Sequence, residues 1–122
     1  MSTTAYPEVT RAISKQTAVL RRDIPEVMDG FTAMMKGAGT PGALDRKTKE
    51  CIAMGIAIAL RCDGCIGFHT DSLVKLGVTR KEFEEILGVA VYMGGGPSLM
   101  YAAQAMDAWE QFGGDPGSDT QD

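Results

Sequence analysis

Cys62, Cys65 and His69 lie within the stretch CDGCIGFH, residues 62–69, and His69 is the only histidine in the chain. On a helix, residues at i, i+3 and i+7 share one face, so the three line up, with Leu73 and Leu76 continuing the stripe. The line begins at or just before a helix start, where unpaired backbone N–H groups favour an anion. A free thiol with a pKa near ~8.5 is mostly protonated at neutral pH. An imidazole one turn below can take that proton or, once charged, stabilise the thiolate. A second sulfur within a turn can attack the first after oxidation. The geometry suits peroxide reduction, in which a thiolate opens an O–O bond, a sulfenic acid forms and the partner thiol closes a disulfide. Gly64 and Gly67 are expected to leave room for substrate or backbone.

Other readings of the same residues compete. His69 could be a core histidine on its apolar stripe. Cys62, Cys65 and His69 could bind zinc, with Cys51, Glu50 or Asp71 as fourth ligand, but no second Cys/His pair is present. The cysteines could also be small buried apolar residues, which is the expectation for Cys51 within its apolar run.

The elements that must position this segment are helical. Ile24, Val27, Met28, Phe31, Met34 and Met35 recur at i, i+3, i+4, i+7; so do Phe83, Ile86, Leu87 and Ala90, and again Leu99, Ala102, Met106 and Trp109. No segment sustains a period of two, and no hairpin signal joins two β-rich runs. The spacing predicts an all-α bundle of six helices, over 8–21, 24–36, 46–61, 64–76, 80–93 and 97–112. Asp23 with Glu26, and Thr79 with Glu82, read as capping boxes; Asp45 reads as an N-cap and Gly77 as a left-handed C-cap. Gly94, Gly95, Gly96 and Pro97 separate the last two helices. Trp109 and Phe112 are expected to pack the final helix. One domain is expected over 1–112, with 113–122 a disordered tail of Gly, Pro, Asp and Ser.

The run CIAMGIAIAL, 51–60, is apolar on every side and must be surrounded. Its small residues Ala53, Gly55, Ala57 and Ala59 would let a neighbouring helix come close. Packing between subunits is therefore expected there; a fully buried central helix in a monomer is the alternative. The run is about half of what a bilayer span requires, and Met1–Glu8 has no signal-peptide pattern. With 12 Lys+Arg against 16 Asp+Glu, a net charge of −4 and no basic stripe, nucleic-acid binding is disfavoured. At 122 residues with 44% hydrophobic content, the chain reads as one soluble, cytoplasmic domain. Three cysteines do not make a disulfide scaffold, and in a reducing compartment Cys-x-x-Cys points to redox chemistry or a metal.

At these residues the sequence resembles the carboxymuconolactone decarboxylase-like superfamily, and within it the alkylhydroperoxidase AhpD-like branch. That signature is Glu, eleven residues, Cys, two residues, Cys, three residues, His, met here by Glu50, Cys62, Cys65 and His69. The segment VAVYMGGGPSLMYAAQAMDAW, 89–109, also looks like the family's last two helices, and the resemblance spans roughly 20–112. It implies an all-helical fold and assembly as a trimer or hexamer; the redox reading of the cysteine pair itself expects no bound cofactor or metal. The resemblance implies Cys65 as the peroxide-attacking thiol, Cys62 as the resolving one, and His69 and Glu50 as a proton relay. The substrate would be a hydroperoxide or disulfide, and an external dithiol would reset the pair. Gly64 stands where the best-known peroxidase members carry a histidine, and the chain matches one motif-bearing unit of the two-repeat peroxidase. The decarboxylase members generally lack the cysteine pair. A cofactor-free lyase using His69 and Glu50 remains the alternative enzyme, and a zinc-binding or purely structural oligomeric module the non-enzymatic one. Glu50 enters through the resemblance alone. In one straight helix it lies about 18 Å along the axis from Cys62, so the next helix must fold back to bring His69 to it. Otherwise it is an acid in a helix's first turn.

Overall fold

The computed structural model describes residues 4–117. They form six α-helices in chain order: α1 Tyr6–Asp23, α2 Pro25–Gly39, α3 Arg46–Ala59, α4 Asp63–Lys75, α5 Arg80–Gly94 and α6 Gly96–Gln111. Among the described residues there is no strand, and no helix is long and apolar enough to cross a membrane. The core gathers one face from every helix except α2: Tyr6, Met54, Ile58, Ile66, Leu73, Phe83 and Trp109 are fully buried. Phe83 and Trp109 stack with ring centroids 4.5 Å apart, tying α5 to α6 as an offset aromatic pair.

The helix boundaries follow local chemistry. Asp45 accepts from the Thr48 N–H at 2.7 Å and caps α3. Thr79 and Glu82 form the expected capping box at the start of α5, with both reciprocal bonds made. Gly77, at φ +78°, follows α4 as the left-handed residue; its N–H and that of Val78 close back onto Val74 and Leu73 carbonyls. The second capping box is not formed. α1 runs through Asp23, whose carboxylate meets the Arg22 side chain, and Ile24 is at once the C-cap of α1 and the N-cap of α2. Asp23 thus sits inside a helix rather than in the extended conformation an N-cap needs.

Residues 113–117 fold back on the bundle: Trp109 Nε1–H donates to the Asp115 carbonyl at 2.8 Å, and the Asp115 carboxylate accepts from the Arg80 and Gly117 N–H groups. The remainder of the tail expected over 113–122 lies outside the described residues.

The apolar run behaves as a two-faced helix within the single chain. Met54, Ala57 and Ile58 are buried against α4, α5 and α6, whereas Ile52, Ile56 and Leu60 are exposed, Leu60 by 71%. The helix α2 buries no residue at all.

Candidate active site

The turn that delivers the two cysteines starts at the end of α3. Leu60 is the C-cap, and Arg61 takes the left-handed conformation at φ +57°. The Arg61 and Cys62 N–H groups close back onto the Ile58 and Ala57 carbonyls at 3.1 and 3.2 Å, a Schellman motif built without glycine. The chain then enters α4 at once, with Cys62 as its N-cap. Cys62 Sγ accepts from the Cys65 N–H at 3.1 Å, so a sulfur occupies the anion-favouring end of α4. Cys62 and Cys65 are joined as a disulfide, their Cα atoms 5.2 Å apart.

The short turn folds α4 back along α3. Thr70 donates to Met54 Sδ at 3.7 Å, and His69 Nδ1 lies 2.7 Å from Glu50 Oε1. The sequence separation of nineteen residues is thereby closed, and the long axial distance in a straight helix is cancelled by the reversal. A carboxylate only accepts, so Nδ1 carries the proton in this contact and leaves Nε2 as the basic nitrogen. The His69 side chain is 32% exposed and that of Glu50 21%, so the pair is half-buried and reachable from solvent. His69 Nδ1 is taken by Glu50 and the sulfurs by each other. Among the described residues, no group of three or more His, Cys, Asp or Glu is arranged to hold a metal.

All four residues line one cavity of about 1020 Å³ between α1, α2, α3 and α4. Ile13 and Ser14 of α1, Phe31 and Met35 of α2, and Phe68 of α4 form part of its wall. Of the two expectations for Gly64 and Gly67, room for substrate or for another stretch of chain, the second is met, because α1 lies against both, while Gly64 also lines the cavity. A Cβ on Gly64 would stand 2.6 Å from Ile13 Cδ1, and one on Gly67 2.6 Å from Thr10 Cγ2. These glycines let α1 lie directly against the cysteine-bearing helix.

A second polar cluster lies behind the cysteines and has no counterpart in the sequence reading. The Tyr6 side chain is fully buried, and its hydroxyl donates toward Asp63 Oδ1 at 3.3 Å or Gln104 Oε1 at 3.1 Å. Its backbone N–H donates to Gln111 Oε1 at 2.8 Å. Burial, and then the Asp63 carboxylate, push the Tyr6 phenol well above its ordinary pKa. Asp63 sits between Cys62 and Gly64, so this cluster links the start of α1, the first residue of α4 and α6. The signal available was an aromatic directly before Pro7, in an otherwise polar N-terminal segment. Cys51 is partly buried against the core and its thiol is pushed up by that burial, as expected of a packing cysteine.

Fold and site together define an all-helical protein whose Cys-x-x-Cys disulfide, at a helix start, lines the same cavity as a carboxylate–imidazole pair. Residues 25–108 match the carboxymuconolactone decarboxylase family, and the chain belongs to that family. A carboxymuconolactone decarboxylase family protein from Legionella pneumophila, solved in its apo form, is 55% identical, with a TM-score of 0.86 over 88% of this chain and 96% of that one. A family member from Thermotoga maritima is 28% identical, with a TM-score of 0.66 over 79% of this chain and 88% of that one. An uncharacterised protein of Cupriavidus necator is 37% identical over 94 residues, 77% of this chain and 83% of its own length.

Proposed function

We propose that the chain is a thiol-dependent peroxidase or disulfide oxidoreductase in which Cys65 attacks, Cys62 resolves, His69 moves the proton and Glu50 holds His69. The observation that carries this reading is the 2.7 Å Glu50–His69 contact on the same cavity as the Cys62–Cys65 disulfide. In the dithiol state His69 takes the Cys65 proton, and the thiolate attacks one oxygen of a hydroperoxide. The O–O bond breaks, Cys65 becomes a sulfenic acid, and the leaving alkoxide collects the proton from His69 to depart as an alcohol. Cys62 then attacks the Cys65 sulfur and water leaves, carrying the Cys62 proton and the sulfenic oxygen. The product is the disulfide. An external dithiol, abundant in a reducing cytoplasm, returns two electrons and two protons by exchange and is itself oxidised to a disulfide. Cys62 Sγ, at the helix start, is the better leaving thiolate in that exchange. For the Thermotoga relative an involvement in antioxidative response has been suggested, which agrees in class with this reading.

Assembly as a trimer or hexamer belongs to the same proposal. It is supported by the bare apolar surface of the single chain, where Val27, Met34, Leu60 and Met93 are each more than 60% exposed. Sedimentation at several concentrations tests it, and a strictly monomeric boundary refutes it.

The chemistry is tested by thiol titration. One equivalent of hydroperoxide added to the reduced protein should remove two thiols per chain, and Cys65→Ser should abolish that loss. Glu50→Gln should slow it without changing its extent. Retained turnover of a lactone acid by the Cys62→Ser/Cys65→Ser double variant would instead favour the lyase.

A further inference from the structure

The cavity that holds the sulfurs is charged in the opposite sense to the molecule. The chain carries a net charge of −4, yet four cations, Arg21, Lys36, Arg46 and Lys49, and one acid, Glu50, line the cavity. Glu50 is committed to His69, and Lys49 Nζ is spent on the Ala38 and Thr40 carbonyls, at 2.9 and 2.6 Å. Arg21, Lys36 and Arg46 make no ion pair among the described residues, so three cations are free to meet a ligand. They come from three different helices, α1, α2 and α3.

Their backbones are also set back from the reactive groups. Arg21 is two turns, about 12 Å, along α1 from Ile13, which packs beside Gly64. Arg46 is one turn, about 6 Å, along α3 from Glu50. The wall shared by cations and sulfurs is mainly apolar, with Ile13, Met28, Phe31, Met35 and Phe68, and is interrupted by the hydroxyls of Ser14, Thr17 and Thr32. A small inorganic peroxide would use neither the cations nor that wall, and a neutral organic one would use the wall alone. A ligand with an anionic end, an apolar body and a reacting group near its far end would use both.

Resting on the redox reading above, we propose that this site takes amphipathic acids: hydroperoxides or disulfides carrying a carboxylate on an extended apolar body. Arg21 and Arg46 receive the carboxylate, a geometry that guanidinium groups match in bidentate fashion. The apolar wall holds the chain, and the O–O or S–S group is left at Cys65.

The test separates binding from turnover by using the disulfide form of the protein, which cannot attack a peroxide. Decanoate and its neutral counterpart decanol are titrated by calorimetry at low and high salt. Decanoate should bind more tightly than decanol, and its advantage should shrink as salt screens the cations. Arg21→Gln/Arg46→Gln should weaken decanoate about tenfold, and Arg21→Lys/Arg46→Lys should recover part of the loss. Equal affinities for decanoate and decanol would overturn the assignment, as would unchanged decanoate binding in a glutamine variant whose melting temperature shows it folded. Decanoate bound as expected by a protein that consumes no hydroperoxide leaves the acid site standing and removes the peroxidase reading. Hydroperoxide consumption without decanoate preference does the reverse.

Discussion

The Tyr6 hydroxyl gives the structure an alkaline limit that one substitution should remove. The phenol is buried beside the Asp63 carboxylate, and both burial and that charge oppose its ionisation in the folded state. In the unfolded chain it ionises near pH ~10. The unfolded state therefore releases a proton that the folded state keeps, and stability contributed below pH ~10 is lost as the pH rises further. One such proton lowers stability by about 1.4 kcal/mol at pH 11, and by as much again for each further unit until the folded-state phenol also ionises. Tyr6→Phe removes that proton. It also removes the hydroxyl contacts to Asp63 and Gln104, at a cost of about 1 kcal/mol at pH 8; neither acceptor is buried, so water can replace the lost donor. The variant should thus be less stable than the parent at pH 8 and equal to it near pH 11. Urea unfolding of both proteins across pH 8–11, followed by circular dichroism, reads the crossover. Parallel loss of stability in the two proteins would refute the assignment, because the alkaline limb would then belong to other groups.

Three further outcomes follow from the geometry. Arg61 holds φ +57° without being glycine, so Arg61→Gly should raise stability by on the order of 0.5–1 kcal/mol in chemical denaturation; a loss would mean the side chain does more than fill the turn. Gly67→Ala should cost about 1–3 kcal/mol through its 2.6 Å encounter with Thr10 Cγ2, and adding Thr10→Ala should recover most of that loss in a melting experiment. Asp45, Glu82 and Asp115 are all held below the ordinary carboxylate range, Asp45 and Asp115 chiefly by backbone or capping hydrogen bonds and Glu82 chiefly by Lys47. Their stabilisation is present above pH ~4 and lost as the pH falls through their folded values. Melting temperature should therefore drop between pH 5 and pH ~2.5, and Asp45→Asn should show a shallower drop.

Much of this architecture was legible because its determinants are local. Side-chain periodicity and end signals together placed all six helices, and the Asp45 cap, the Thr79–Glu82 box and the left-handed Gly77 each follow from residues within four positions. The Cys62–Cys65–His69 alignment is equally local. The Glu50–His69 contact is not, since it exists only because the 60–62 turn reverses the chain, and no glycine announces that turn. Asp23 misled because capping chemistry is conditional on where the preceding helix stops, and α1 continues through it. Gly64 and Gly67 were legible as sites of close approach, but whether a ligand or α1 approaches is a tertiary fact. Tyr6 was missed because its partners stand 57 and 98 residues away.

The joint at Ile24, shared by two helices and capped by no side chain, is the point at which α2 leaves the rest of the bundle. The helix beyond it anchors no residue in the core, so in the single chain it is the segment with least to lose on moving away. Swinging it outward would unroof the chamber while the α3–α4 hairpin keeps its shape. The disulfide would then be laid bare without the bundle having to unfold.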